Sequence, residues 1–216
     1  MNLHDLIEGR SISSEGADVL RSVARSGRSF LVHALPQGAG KSTLVDAILA
    51  EAPPDVPRNA FYGTEQELAE LSAASSRGHL LVAEIGHRGR PGYLAGEEVP
   101  RVFDLLASGY SLASSLHADS VDEVYQVLAA NGVPAAVAAS VPFLIKVRMI
   151  RNDAGTHVRR VVDEIHEITI GEDGTSAATL LYCWDGSAAD SSAAWVEEPE
   201  RRHRGPDRDH RGQREP

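Results

Sequence analysis

Residues 30–49 read Phe-Leu-Val-His-Ala-Leu-Pro-Gln-Gly-Ala-Gly-Lys-Ser-Thr-Leu-Val-Asp-Ala-Ile-Leu, and they predict a strand, a glycine-rich turn and a helix in immediate succession. Gly38 and Gly40 permit a tight turn whose backbone N–H groups approach phosphate oxygens without an intervening Cβ. The helix that begins near Lys41 directs its unpaired N–H groups and the positive end of its dipole at the same oxygens. The stretch therefore predicts the phosphate-binding loop of a nucleoside triphosphatase.

The polar side chains of this loop have expected roles. Lys41 reaches the β- and γ-phosphates of a nucleotide, and the Ser42 hydroxyl binds Mg²⁺. Only two lysines occur in the chain, Lys41 and Lys146, which supports a specific need for lysine in the loop. The residues expected to hold nucleotide are Pro36, Gln37, Gly38, Ala39, Gly40, Lys41, Ser42 and Thr43.

One position departs from the usual motif Gly-x-x-x-x-Gly-Lys-Ser/Thr, because Leu35 stands where the first glycine is expected. That glycine normally permits the sharp exit from the strand, so we expect the turn to begin differently here. The alternative is a glycine-rich turn that binds nothing. That alternative does not explain Lys-Ser-Thr at the start of a helix.

The composition is that of a globular protein. The 216 residues are 42% hydrophobic and 24% charged, which suits one hydrophobic core. No apolar stretch approaches the roughly 18 residues of a membrane helix, and the N-terminus does not resemble a signal peptide. The single cysteine, Cys183, cannot form an internal disulfide. We therefore expect a cytoplasmic protein without direct membrane insertion. The net charge of −10 argues against nucleic-acid binding.

The chain divides into three predicted segments. Residues 1–28 form a helical lead-in in which Ser13 or Ser14 caps a helix. Residues 29–185 form a P-loop nucleoside triphosphatase domain, which the family resemblance given below makes a P-loop ATPase domain, and residues 186–216, which are nearly all polar towards their end, form a disordered tail. Within the domain, strands and helices alternate up to residue 142, and strand-like segments separated by turns follow, so the fold class is α/β with a C-terminal antiparallel meander.

Two strand ends supply further polar side chains. Glu84 comes at the end of the apolar run 79–85, and His117 directly follows the strand-like residues 110–116. Ligands bind at the carboxyl ends of parallel strands, so we expect Glu84 to be a catalytic carboxylate near Mg²⁺ and His117 to contact phosphate or to report the nucleotide state to a neighbouring subunit. The alternatives are a solvent-facing glutamate and a capping or surface histidine.

A third acidic position follows the short strand predicted at residues 60–62. Glu65 or Glu67 is a candidate general base that polarises the attacking water, and their spacing does not decide between them. The alternative is that both are solvated glutamates in the first turn of a helix, where the helix dipole favours negative charge.

Four segments of the chain occur in the order found in one known family. They are the phosphate loop, residues 80–85, residues 109–118 (Gly-Tyr-Ser-Leu-Ala-Ser-Ser-Leu-His-Ala) and residues 131–168. Together they resemble the secretion ATPases, the motors of type II and type IV secretion and of type IV and Flp pilus assembly. The second segment resembles the atypical Walker B strand of that family, and the third resembles its histidine box.

This resemblance implies a RecA-like P-loop NTPase core with a mainly parallel sheet flanked by helices, and ATP and Mg²⁺ as cofactors. It implies that Lys41 and Ser42 hold nucleotide and Mg²⁺, that Glu84 acts at Walker B, and that His117 contacts the phosphates. It further implies a homo-oligomer, in the family a hexameric ring, which works with inner-membrane secretion or pilus platform proteins. The location would then be cytoplasmic or peripheral at the inner face of the membrane. Candidate arginines that complete the site of a neighbouring subunit are Arg88, Arg90, Arg148 and Arg151.

The chain also departs from the family pattern. Leu35 replaces a glycine, Gly86 stands where an arginine normally follows the Walker B glutamate, and there is no room for the family's N-terminal domain. We therefore expect a pared-down motor subunit that hydrolyses ATP slowly. The alternative is a hydrolysis-deficient regulatory or structural subunit of the same kind of system. A third hypothesis, a P-loop kinase, lacks a recognisable acceptor-site pattern.

Overall fold

The computed structural model describes residues 1–86, 92–152, 158–171, 174–186 and 195–197. None of the helices in these ranges combines the length and the apolar character needed to cross a membrane. The helices of the described residues are α1 (Leu3–Glu8), α2 (Ser14–Ser26), α3 (Lys41–Leu49), α4 (Glu65–Ala73), α5 (Glu98–Ala107), α6 (Val121–Ala130) and α7 (Ala135–Ala138).

The strands form one mixed sheet. Within the described residues they are β1 (Phe30–His33), β2 (Arg58–Ala60), β3 (His79–Ile85), β4 (Tyr93–Leu94), β5 (Ser111–Leu116), β6 (Phe143–Asn152), β7 (Val158–Ile170), β8 (Ser176–Cys183) and β9 (Trp195–Glu197).

The sheet has the order β2-β3-β5-β1-β6-β7-β8, with β4 paired to β3 and β9 paired to β6. Strands β2, β3, β5, β1 and β6 are parallel, and β6, β7 and β8 are antiparallel. The predicted α/β class, with a mainly parallel sheet and antiparallel strands near the C-terminus, is therefore confirmed. The antiparallel strands do not form a separate sheet, because Phe143 of β6 pairs directly with Phe30 of β1 and so continues the parallel part of the sheet.

Helices cover both faces of this sheet around β1. All four residues of β1 are buried, as expected of a central parallel strand. Successive side chains of a strand point to opposite faces, and accordingly Leu31 packs in one core cluster with Leu80 and Leu105, whereas Phe30 belongs to a second cluster. The second cluster includes Ile48 of α3, so the helix after the glycine-rich turn is anchored against the sheet.

Several element boundaries differ from the sequence-based expectation. Strand β2 is Arg58–Ala60 instead of residues 60–62, and α7 is a short helix, Ala135–Ala138. The shortness of α7 follows from two prolines, because Pro134 has an extended ψ of 150° as the N-cap and Pro142 cannot continue the helix. In the lead-in, the Ser13 side chain accepts a hydrogen bond from the Gly16 N–H, which confirms one of the two expected caps. Of the predicted tail, the structure describes only Gly186 and β9.

Candidate functional site

The glycine-rich turn between β1 and α3 has the backbone that its sequence requires. Gly38 and Gly40 adopt φ values of 77° and 96°, which side chains with a Cβ rarely tolerate. Gly40 is the N-cap of α3 and provides no side-chain cap to the first turn of that helix. The turn and the helix start therefore have the geometry of the expected phosphate-binding loop, and phosphate binding by their N–H groups stays a prediction.

Three side chains from separate segments meet next to this turn. Lys41 Nζ lies 3.5 Å from Glu84 Oε2 and 3.2 Å from His117 Nε2. His117 Nε2 lies 3.2 Å from Glu84 Oε1, which closes a triangle of contacts. Lys41 and Glu84 are only 6% and 4% exposed. The structure thus brings together three of the residues that the sequence singles out.

The order of the strands explains this convergence. Strand β5 lies between β1 and β3, so His117, which follows β5, lies between Lys41 and Glu84. The pairing of β3 with β5 shifts register between Val82 and Ile85, and Glu84 lies inside that irregularity. Such a local break in pairing redirects a side chain at a strand end. The site consequently occupies the carboxyl edge of the parallel strands, where α/β proteins bind ligands.

The protonation of His117 follows from its two contacts. Nδ1 lies 2.9 Å from the Leu35 carbonyl oxygen and Nε2 lies near the Glu84 carboxylate, so both ring nitrogens face acceptors. The hydrogen bond to Glu84 is the main cause that raises the pKa of His117 above its ordinary 6.5, while burial and the Lys41 charge act in the opposite direction. The contact with Glu84 therefore shifts the titration of His117 towards the imidazolium form.

The pKa of Lys41 shifts in the opposite direction from that of His117. Loss of water around the ammonium group lowers the pKa of Lys41 from its ordinary 10.5, and the Glu84 carboxylate counteracts this loss. Glu84 is thus the anion that stabilises two neighbouring cations. A phosphate group entering the site would take over this role and release the carboxylate for other contacts.

The turn itself is held by side chains from two other strands. His117 Nδ1 donates to the Leu35 carbonyl, and Arg160 Nε, from β7, donates to the Gly38 carbonyl at 2.7 Å. Sequence reasoning missed Arg160. The only signal was the pair Arg159-Arg160 in an otherwise apolar segment, and that pair does not reveal which loop it reaches.

The two glutamates considered as general bases lie at the start of α4. Glu67 Oε2 accepts hydrogen bonds from the Tyr62 and Thr64 N–H groups at 3.0 and 3.1 Å, and Thr64 caps the helix in return. Glu65 Oε1 lies 2.6 Å from Arg101 Nη2. Among the contacts of the described residues, neither glutamate touches the Lys41–Glu84–His117 cluster. The geometry gives Glu67 a capping role, and the general-base role of either glutamate stays a prediction.

The candidate arginines fall into two groups. Arg88 and Arg90 lie outside the described residues. Arg148 Nη2 lies 2.7 Å from Asp163 Oδ1, and its guanidinium stacks 5.5 Å from the centre of the Trp184 ring. Arg148 is therefore engaged within its own chain. Arg151, on β6, is partly buried.

The residues at the site fit a metal that arrives with a nucleotide. No group of three or more histidine, cysteine, aspartate or glutamate side chains in the described ranges is arranged to hold a metal ion. Mg²⁺ commonly uses one or two protein oxygens together with phosphate oxygens and water. Ser42, exposed in the first turn of α3, and Glu84, at the neighbouring strand end, supply oxygens of this kind.

No protein-family model matches the sequence, and no curated protein matches it. Among solved structures, the chain is similar to the VirB11 ATPase from the Brucella suis type IV secretion system in complex with sulphate. The TM-score is 0.53 and the identity 20%, over 76% of this chain and 54% of that one. It also matches the Legionella pneumophila ATPase DotB with a TM-score of 0.49 and 13% identity, over 72% of this chain and 50% of that one. The chain thus spans about half the length of these two structures. At the level of the fold, the expected resemblance to secretion ATPases is confirmed, and the chain shares the fold of the VirB11 ATPase.

Proposed function

We propose that the chain is an ATP-binding and ATP-hydrolysing subunit of a secretion or pilus-assembly motor. One observation carries this proposal: Lys41, Glu84 and His117, from three distant parts of the sequence, meet beside a glycine-rich turn and a helix start. A turn that bound nothing would have no need to bring a buried lysine, a buried carboxylate and a histidine together.

Each group has a role in the proposed site. Lys41 and the first-turn N–H groups of α3 would hold the phosphates, while Ser42 and Glu84 would hold the magnesium ion bound with the nucleotide. The ion would neutralise part of the phosphate charge. His117, shifted towards the imidazolium form, would donate a hydrogen bond to a phosphate oxygen. Hydrolysis then proceeds by positioning water and stabilising charge, with no covalent enzyme intermediate.

The proposed output is force or conformational change delivered by a ring of identical subunits. The name of the VirB11 neighbour links that protein to a type IV secretion system. By analogy, we propose that this chain assembles into a homo-oligomer in the cytoplasm and acts on platform proteins at the inner membrane. This step rests on fold similarity rather than on the site.

A second candidate function is a nucleotide-binding regulatory subunit that has lost turnover. Two observations favour it. The Glu67 carboxylate caps α4 and, among the contacts of the described residues, does not touch the Lys41–Glu84–His117 cluster, and Gly86 stands where the resemblance implies an arginine after Glu84. Such a subunit would keep nucleotide affinity without releasing phosphate.

The first experiment measures phosphate release from the purified protein with Mg²⁺ and ATP at several protein concentrations. We expect turnover per subunit to rise with concentration, because assembly completes the site, and to disappear in Lys41→Ala. If nucleotide binds but phosphate release stays at the level of Lys41→Ala at every concentration, the regulatory function replaces the motor. Absence of nucleotide binding would overturn both.

The variant Glu84→Gln separates the two functions further. In a motor, this change keeps ATP binding but blocks turnover, so ATP stays bound and intact on the protein. In a regulatory subunit, the wild type and the variant retain ATP equally. Glu15→Gln serves as the matched control, because it makes the same chemical change at an exposed glutamate in the first turn of α2.

A further inference from the structure

We propose that Arg160 is a positioning residue that holds the phosphate loop in its nucleotide-binding conformation. The inference deepens the proposed function and rests on it for the effect on nucleotide, but the holding of the loop itself is a property of the protein without nucleotide.

The Arg160 side chain lies across the glycine-rich turn. It comes from the start of β7, and its Nε donates to the Gly38 carbonyl oxygen at 2.7 Å. Its Cδ lies 3.2 Å from the place that a Cβ would occupy at Gly40. The arginine therefore touches the loop at the two glycines with positive φ, Gly38 and Gly40. These are the positions with the greatest backbone freedom and hence the greatest entropy to lose.

The contact fixes the orientation of one peptide group. In a trans peptide, the carbonyl of Gly38 and the N–H of Ala39 point in opposite directions. Arg160 holds the carbonyl from one side, and the Ala39 N–H donates to the Pro36 carbonyl, at 3.3 Å, on the other side. Rotation of this peptide would break both bonds. The Pro36–Ala39 turn is thus formed before any nucleotide arrives.

The start of the loop has a second anchor. His117 Nδ1 donates to the Leu35 carbonyl at 2.9 Å. Two side chains from different strands of the sheet, His117 after β5 and Arg160 in β7, therefore hold two carbonyls of the loop. An exposed turn without such anchors samples other conformations, and each of them presents fewer N–H groups to a phosphate. Because the anchors act before binding, they reduce the ordering cost of binding.

The experiment compares Arg160→Ala, Arg160→Gln and Arg160→Lys with the matched control Arg159→Ala. Arg159 is the preceding residue on β7 and points to the opposite face, as successive strand residues do. The first measurement is amide hydrogen exchange of residues 37–40 without nucleotide. The second is the equilibrium Kd for ADP and ATP. The third compares the change in KM for ATP with the change in kcat.

We expect Arg160→Ala and Arg160→Gln to speed exchange at residues 37–40 while exchange at the core strand β3 stays unchanged. We expect nucleotide Kd and KM to rise about tenfold, the equivalent of one charge-assisted hydrogen bond, with a smaller change in kcat. Arg160→Lys retains a donor and restores part of the affinity. Arg159→Ala leaves the loop and the affinity at wild-type values.

Equal loop exchange in Arg160→Gln and Arg159→Ala would overturn the inference and leave the proposed function standing. Exchange that rises uniformly over the whole protein would also overturn it, because that result indicates a purely structural arginine. If the wild type binds no nucleotide, the proposed function falls, yet loop exchange in the same variants still decides whether Arg160 holds the loop.

Discussion

At the scale of single residues, the charge of His117 is the property that the site controls most directly. Glu84 raises the pKa of His117, and the carboxylate also faces Lys41. Changing Glu84 to Gln removes the negative charge while keeping the side-chain shape. We predict that Glu84→Gln lowers the pKa of His117 relative to wild type, as measured by an NMR titration of the imidazole C–H signals.

Glu65→Gln is the control for this titration, because Glu65 contacts Arg101 rather than the cluster. An unchanged His117 titration in Glu84→Gln would refute the assigned contact.

The raised pKa of His117 also makes the stability of the fold depend on pH. A histidine with a higher pKa in the folded state stabilises the fold below its unfolded pKa of about 6.5. That contribution disappears as the pH rises through the folded value. It is therefore larger at pH 6 than at pH 9 and absent in His117→Asn.

Residues at strand ends and in the glycine-rich turn were predictable from the sequence, and an arginine inside a strand was not. Glu84 and His117 end or follow apolar runs, and Lys41 follows the turn after another strand, so the rule that parallel strands present their carboxyl ends at one edge was enough to group them. Arg160 reaches the same loop only because β7 pairs with β6 and β6 with β1. Those pairings depend on long-range register, which the local sequence does not contain.

At the scale of elements, the start of α4 is the feature whose interpretation the structure changed. Thr64 and Glu67 form reciprocal hydrogen bonds there, the arrangement called a capping box. We predict that Thr64→Ala lowers the free energy of unfolding by about 1 kcal/mol, because one N–H group of the first turn loses its acceptor. Urea denaturation of wild type and variant measures this difference.

The same element separates a cap from a catalytic base. Glutamine replaces glutamate in capping boxes, so Glu67→Gln should keep more stability than Glu67→Ala. Glu65→Ala provides a comparison at an exposed ion pair, which contributes little to stability. If Glu67→Gln retains full stability but loses phosphate release, Glu67 acts as a base in addition to its cap.

Elements were predicted well where the sequence pattern was strong. The apolar run His79–Ile85 forms a strand with the expected bounds, because a long apolar strand carries its own signal. The two-residue strand β4 was missed, since Tyr93–Leu94 has no periodicity to detect. Strand β2, only three residues long and paired to a single neighbour, was shifted for the same reason.

At the scale of the whole molecule, the sheet joins the phosphate loop to the antiparallel strands, and the helical lead-in contacts this sheet. β7 contacts the loop through Arg160, and two residues later the Val162 N–H donates to the Ser11 carbonyl of the lead-in at 2.8 Å. The lead-in also packs into the core around α3 through Leu3, Leu20 and Val23. A disturbance in the lead-in should therefore reach the nucleotide site through packed elements. The sequence, which suggested a lead-in set apart from the domain, did not reveal this connection.

The lead-in also packs tightly against β8, at the place where Gly16 of α2 meets Tyr182. A Cβ at Gly16 would come within 2.7 Å of the buried Tyr182 ring and 2.8 Å of Ile12 Cγ1, and the Tyr182 hydroxyl faces the Ser13 N–H at 3.4 Å. Glycine normally weakens a helix by about 1 kcal/mol relative to alanine, so alanine would be favoured here if space allowed. The overlap with a packed ring costs about 1–3 kcal/mol, so the net effect of an alanine at this position is destabilising.

We predict that Gly16→Ala destabilises the protein in urea denaturation, but that the same change is neutral or stabilising in a Tyr182→Ala background, where the ring is absent. If Gly16→Ala stabilises the protein with Tyr182 present, the lead-in does not dock on β8 as described. Its link to the phosphate loop would then have to run through Ser11 and β7 alone.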